Sequence, residues 1–448
     1  MVGRFYQFLR VRPGEGVLVL ALGFVLFIND AAMGIAKVVS VSGFLSEVKD
    51  YYILLVWAAD MALLILATGL QSLIIDRFRR LGLLSGILVI LLVFYALLSA
   101  AFSLENFPAT ISYTLLYFLT DQQWLMIPLV FWILANDLFD PAQGRRLFPL
   151  IGSFAFVGTV AGLLVAQLDA VVGFGPVRLL AFNAAAFLVS LLVLQLTLRK
   201  RPIRQNPQER ITIGQALSGG WTFIRDVPAF RYLSLSMLAA GITMTVLLYD
   251  SLSDASLELG GGFQSFYALY SLIIAVGSIL IQFLSGKIIE KLGLKDSFII
   301  LPLTMLLGSI VNFFIPGYVS SATAQGVSRV ALQTVDQSSR KAFQALVPAE
   351  KRGRVSIFID SYLPSLGTIF GSLITFGIIT LGLYQNESRA VFSSYYLAFS
   401  ALAAVAAMIA FFLMRSTYDQ SLLNWQLKRR SRGASVLDQL DFSEPDEK

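Results

Sequence analysis

The chain has 448 residues, of which 56% are hydrophobic and only 14% charged, with a mean hydropathy of +0.74. Soluble domains hold about 25% charged and about 45–50% apolar residues, so this composition excludes an ordinary soluble protein and marks an integral membrane one. Cysteine and histidine are both absent and the net charge is only +6, which excludes disulfides, thiolate or imidazole metal sites and Ser/His or Cys/His catalysis. No cofactor or metal is expected, and the protein is not expected to be an enzyme.

The basic N-terminal stretch MVGRFYQFLRVRPGEG leads into an apolar run about 20 residues long, enough to span a bilayer. No small-x-small cleavage site follows, so the run reads as a first span and not as a signal peptide. Apolar runs then cover 17–36, 51–75, 83–102, 109–135, 147–168, 177–198, 230–250, 264–286, 298–316, 319–345, 355–383 and 391–414. These twelve runs predict an all-α protein of twelve membrane spans. With the N-terminus inside, all 34 Lys and Arg fall at the cytoplasmic side except Lys37, Lys49, Arg178, Arg389 and Arg329. That asymmetry predicts both termini in the cytoplasm.

The spans repeat. GTVAG (158–162) in span 5 recurs as GTIFG (367–371) in span 11, 209 residues on, and Arg145 and Arg354 in the preceding loops have the same separation. DRFRRLG (76–82) has a shorter echo, EKLG, at 290–293. The chain therefore divides into a six-helix bundle (1–198), a linker (199–229), a second six-helix bundle (230–414) and a tail (415–448). The Gly-x-x-x-Gly pairs read as plain close packing of helices. In the linker IGQALSGGWTFIRD suits an interfacial helix with Trp221 at the headgroups. The tail, with a basic cluster and an acidic end, suits surface anchoring followed by disorder. The basic residues sit at membrane edges, so no nucleic-acid partner is expected.

Polar residues at membrane depth are costly and tend to face protein or water. They gather on span 1 (Asn29, Asp30, Lys37), span 4 (Asp121, Gln122, Gln123), span 7 (Thr243, Thr245, Tyr249, Asp250) and span 10 (Gln325, Arg329, Gln333, Asp336, Arg340), with Asp60 on span 2. Spans 3, 6, 9 and 12 carry few, chiefly Asn183, Gln195 and Asn312. At 100° per residue the five span 10 residues fall on one stripe, which predicts a wet cavity wall. Asp30, Lys37, Asp121, Gln122, Tyr249, Arg329, Gln333, Asp336 and Arg340 are the candidate substrate-binding residues. Asp76, Arg77, Arg145, Arg146, Arg354 and Asp360, near the membrane edges, are candidate gating residues. Several have a second reading. Asp336 and Arg340 are spaced i, i+4 for a local pair, and Lys37 could snorkel to the surface. Asp121 reads as an acid that cycles a proton, a partner of Arg329, or both, and Asp60 reads best as steadying a helix contact.

A parallel 6+6 repeat is the plan of the major facilitator superfamily, and GLQSLIIDRFRRLG (69–82) resembles that superfamily's 2–3 loop signature. FWILANDLFDPAQGRRLFPLIGSFAFVGTVAG (131–162) resembles the nucleotide transporter, or ATP:ADP antiporter, family, through Phe131, Trp132, Ala135, Asn136, Asp137, Arg145, Arg146, Phe148, Pro149, Leu150, Gly152 and Gly162. A second patch, SSRKAFQALVPAEKRGRVSIFID (338–360), matches at Ser338, Ser339, Arg340, Phe343, Phe358, Ile359 and Asp360. The chain departs where Gln122 stands in place of the family's glutamate, and where Arg352, Arg354 and Ser356 stand for its loop lysines.

The resemblance implies a secondary carrier working by alternating access in the inner membrane of a bacterium, as a divergent member. A small, anionic metabolite is the implied substrate, with nucleotides such as ATP and ADP leading, since arginine offers a planar fork to phosphate or carboxylate. No Walker-type glycine-rich loop is present. Proton symport would use Asp30, Asp121 or Asp336, while antiport needs no proton. A carrier for a drug, sugar or lipid and a non-transporting sensor of the same fold stay open, as do direction and oligomeric state.

Overall fold

Lipid offers the backbone no hydrogen-bond partner, so an apolar run of membrane length closes its own bonds as a helix. The computed structural model describes residues 11–12, 14–74, 79–199, 221–344, 347 and 355–437, and no strand occurs among them. The first half runs α1 (Gly16–Glu47), a 3-10 turn (Asp50–Tyr52), α2 (Ile53–Ile74), α3 (Arg80–Ser103), α4 (Ala109–Leu138), α5 (Pro141–Val172) and α6 (Gly175–Leu198). The second runs α7 (Pro228–Leu259), α8 (Phe263–Leu292), a single helical turn (Leu294–Ser297), α9 (Ile300–Phe314), α10 (Tyr318–Ala331), α11 (Gln337–Gln344), α12 (Leu363–Tyr384) and α13 (Arg389–Leu437).

Ten segments of the described residues are long and apolar enough to cross a membrane. One of them, Pro228–Leu292, holds both α7 and α8, which turn at Gly260–Gly262. The expected span 319–345 is not among the ten, because its polar side chains lower its hydropathy; nor is it one continuous α-helix. A π turn at Leu332–Asp336 separates α10 from α11. A π turn adds a residue to the helix, so the faces before and after it are out of register by about 100°. The single polar stripe expected from α-helical spacing is therefore broken: Gln325 and Arg329 precede the break, Arg340 follows it, and Asp336 closes it. A second π turn, Phe358–Tyr362, opens the segment that continues as α12. The last helix also differs from expectation. It continues through the supposed tail to Leu437; no glycine or proline interrupts 389–432. Lys295 Nζ to Asp419 (2.7 Å) and Arg415 to Asp296 (2.5 Å) tie its extension to the turn before α9.

The two halves repeat one packing scheme. In the first, α1 lies against α4, α5 and α6, and α3 against α4 and α6; in the second, α7 lies against α10, α12 and α13, and α9 against α10 and α13. The glycine pairs occupy equivalent contacts. A Cβ at Gly162 of α5 would sit 2.2 Å from the Ala31 carbonyl oxygen of α1, and one at Gly367 of α12 would sit 2.8 Å from the Leu238 carbonyl oxygen of α7. Only glycine lets these backbones approach so closely. The halves meet where α2 packs on α12 and α5 on α8. A buried cluster shared by both, including Val38, Trp57, Tyr117, Tyr249, Tyr267, Ile379 and Tyr396, lies toward the end where α1 finishes and α2 begins.

Candidate functional site

Each half brings its own polar groups to the middle of the bundle. In the first half, Lys37 of α1 reaches Asp121 of α4, Nζ to Oδ1 2.7 Å, and lies 3.7 Å from the centroid of the Tyr117 ring. Their side chains are 27% and 20% exposed, so the pair is neither sealed nor free in water. Lys37 therefore does not snorkel outward, and Asp121 engages Lys37 and not Arg329. Asp60 of α2 and Gln122 are beside this pair. Nearer the start of α1, Gln123 donates to the Asn29 carbonyl (2.9 Å) and side chain (3.0 Å) and accepts from Tyr95 (2.7 Å). That network joins α1, α3 and α4. Asp30 is half-buried and accepts from the Asn29 amide at 3.3 Å.

In the second half the predicted stripe divides. Gln325 is fully buried and accepts a hydrogen bond from Tyr270 of α8, which also donates to the Ala322 carbonyl at 3.0 Å. Arg329 lies on the same face of α10, half-buried, and makes no ion pair or hydrogen bond with any described residue. Gln333 is exposed and accepts from Ser278 at 3.2 Å. Beyond the π turn the charges pair off. The Arg340 guanidinium donates to Asp336 (2.7 Å) and Asp360 (2.9 Å), while Lys341 (2.6 Å) and Gln344 (3.0 Å) also reach Asp360. Asp336 and Arg340 thus belong to a local tie between α11 and the Phe358–Tyr362 turn.

At the end where α1 begins, Arg80 Nη1 donates to both carboxylate oxygens of Asp137, and Arg146 meets Glu15 at 2.7 Å. Burial raises the Glu15 carboxyl, but the Arg12 amide, Arg146 and Gln143 outweigh it and hold the group below its ordinary value. Arg145 is exposed. Asp76, Arg77 and Arg354 lie outside the described residues.

The opposite end holds a set of residues that sequence reasoning missed. Asp50, in the short connection after α1, accepts from Tyr249 at 3.1 Å and from Ser253, and stands 3.6 Å from Arg389. Arg389 also pairs with Asp254 at 2.8 Å. Gln167 and Asp169 of α5 join Ser265 (2.7 Å) and Gln264 (2.6 Å) of α8. Among the described residues, every side-chain hydrogen bond or ion pair joining the two halves lies at this end. Tyr249 therefore sits in a polar closure between the halves. Asp50 and Asp169 gave no signal because acids in short connections read as solvated loop residues.

No family model matches the sequence, and no curated protein sequence is similar to it. Solved structures are similar. A nucleoside transporter, NupG, superposes with a TM-score of 0.63 at 14% identity, over 88% of this chain and 99% of its own. A bacterial homologue of the lysosomal transporter Spinster, inward-facing and unoccupied, gives 0.62 at 15%, over 92% and 98%. A bacterial homologue of the iron transporter ferroportin, also inward-facing, gives 0.63 at 17%, over 90% and 100%. The likeness to ATP:ADP antiporters has no counterpart among these comparisons and rests on the two sequence patches. At such identities the shared property is architecture, and the chain is a divergent protein of the major facilitator fold.

Proposed function

We propose that the protein is a secondary carrier of a small anion, with twelve spans in two six-helix bundles, 1–198 and 230–414, that rock about a central cavity. Both termini are cytoplasmic in this reading, which makes the Asp50 closure the outer one and the structure inward-facing. The observation that carries the anionic substrate is Arg329: a guanidinium at membrane depth with no partner among the described residues, while Lys37 and Arg340 both have carboxylates. A cation left uncompensated in a low-dielectric site is costly, and a phosphate or carboxylate of the substrate would complete it bidentately. A scaffold that had lost transport would be expected to pair every such charge.

Nucleotides stand first among anions because of the patches at 131–162 and 338–360. Labelled ATP, ADP and other nucleotides offered to expressing cells, with and without preloaded counter-substrate, test this. Saturable uptake stimulated from inside indicates antiport, and Arg329→Ala abolishes it while the protein still folds. Wild-type flux through Arg329→Ala would refute the site. No nucleotide flux through folded, correctly oriented protein would move the search to other anions.

A further inference from the structure

Asp60 of α2 is 0% exposed, and neither of its carboxyl oxygens has a hydrogen-bond partner. Asp121 and Gln122 of α4 lie beside it without reaching hydrogen-bond geometry, and the Gln122 amide is itself buried and unpartnered. Lys37 of α1, the nearby cation, is already held at 2.7 Å by Asp121, with Tyr117 beneath it and Tyr267 of α8 close by. The other helix packed along α2 is α12. Its one titratable residue, Tyr384, is exposed at the far end, and Asp360 in the turn before it is occupied by Arg340 and Lys341.

An ionised carboxylate shut off from solvent and without a formed hydrogen bond costs several kcal/mol at such a site. The Lys37–Asp121 pair is neutral as a unit, so Asp60 has no charge left to balance it. A hard metal ion would need about six or more oxygen ligands, more than Asp60, Asp121 and Gln122 supply, and Lys37 holds the cation position on Asp121. A proton alone neutralises Asp60 in that space.

The internal repeat gives this a direction. Asp60 of α2 corresponds to Tyr270 of α8 (offset 210), and Asp121 of α4 to Arg329 of α10 (offset 208). One pair of equivalent positions holds two acids, the other a tyrosine and the unpartnered arginine. We propose that Asp60, paired with Asp121, is a proton-binding site and carries the proton that accompanies the substrate anion. While an anion holds Lys37, the two carboxyl groups have only each other and keep one proton between them, at Asp60 or Asp121. When the anion leaves on the inner side, Lys37 returns to the carboxylates, the O–H bond breaks as one forms to cavity water, and the proton leaves with the anion. Asp60 takes a proton from water again when the site faces outward. The coupling rests on the carrier reading; the proton site does not.

Infrared spectroscopy of the reconstituted full-length protein tests the site directly. A carbonyl band of a protonated, buried carboxyl group is expected at neutral pH and lost in Asp60→Asn, a substitution that keeps the shape of the neutral acid. Wild-type protein without that band, or Asp60→Asn with it, overturns the proposal. In proteoliposomes with a trapped pH dye, an acid exterior is expected to raise ATP or ADP uptake about tenfold with acidification inside. In Asp60→Asn both effects vanish while exchange against trapped nucleotide persists. Gradient-driven uptake unchanged in Asp60→Asn overturns the coupling. The band present with no nucleotide moved by wild type supports the proton site and removes nucleotides.

Discussion

Tyr249 and Asp50 meet across the two halves, the tyrosine hydroxyl donating to the carboxylate at 3.1 Å, with Ser253 and Arg389 on the same acid. One short connection in the first half thus gathers three side chains of the second. Asp50→Ala should loosen this closure and shift the carrier toward its other state, about tenfold for each 1.4 kcal/mol lost. The chain has no native cysteine, so Gln167→Cys with Ser265→Cys gives a clean reporter. A short bifunctional thiol reagent should link that pair, and Asp50→Ala should cut the yield severalfold.

The Lys37–Asp121 pair is largely removed from water, so breaking it from one side leaves an uncompensated charge. Lys37→Ala and Asp121→Ala should each destabilise the detergent-solubilised protein by about 1–3 kcal/mol, less than for a fully buried pair. The double variant should cost less than the two together, with a coupling of about 1 kcal/mol or more. Additive losses in thermal unfolding would show that the two charges do not depend on each other.

Arg329→Lys keeps the charge at the substrate position but replaces a planar fork with a compact ammonium. Flux should survive with KM raised about tenfold, equivalent to about 1.4 kcal/mol. A kinetic comparison with Arg329→Ala, expected to be inactive, separates the need for charge from the need for shape.

Glu15 and Arg146 hold the start of α1 to α5. Because the folded carboxyl sits below its ordinary value of 4.5, the stabilisation is fully present above that value and is lost as pH falls through the lower, folded one. Thermal stability should therefore decline on acidification below about 4.5, and Glu15→Gln should flatten that limb. Equal acid slopes in the two proteins would assign the decline to other carboxylates.

A Cβ at Gly162 would lie 2.2 Å from a backbone oxygen, whereas one at Gly377 would meet nothing within 4 Å. Overpacking of this kind costs about 1–3 kcal/mol. Gly162→Ala should lower the unfolding temperature and yield, while Gly377→Ala should be near neutral. Comparable losses in both would point to general helix effects.

Most of the helices and the internal repeat were readable in the sequence because they follow from local hydropathy and from spacing along one chain. The glycine pairs 158/162 and 367/371 pointed to close packing for the same reason: a missing side chain has one steric meaning wherever its helix lands. The partners of the charges were not readable. Asp121 meets Lys37 across two helices, Asp50 meets Tyr249 from the other half, and Asp60 meets no donor; each outcome depends on distances that folding alone sets. The π turn at Leu332–Asp336 shows why the stripe on 325–340 could not be carried through. A sequence projection assumes 3.6 residues per turn, and an inserted residue that turns Arg340 away from Arg329 and toward Asp360 is decided by packing among α8, α9 and the turn opening α12.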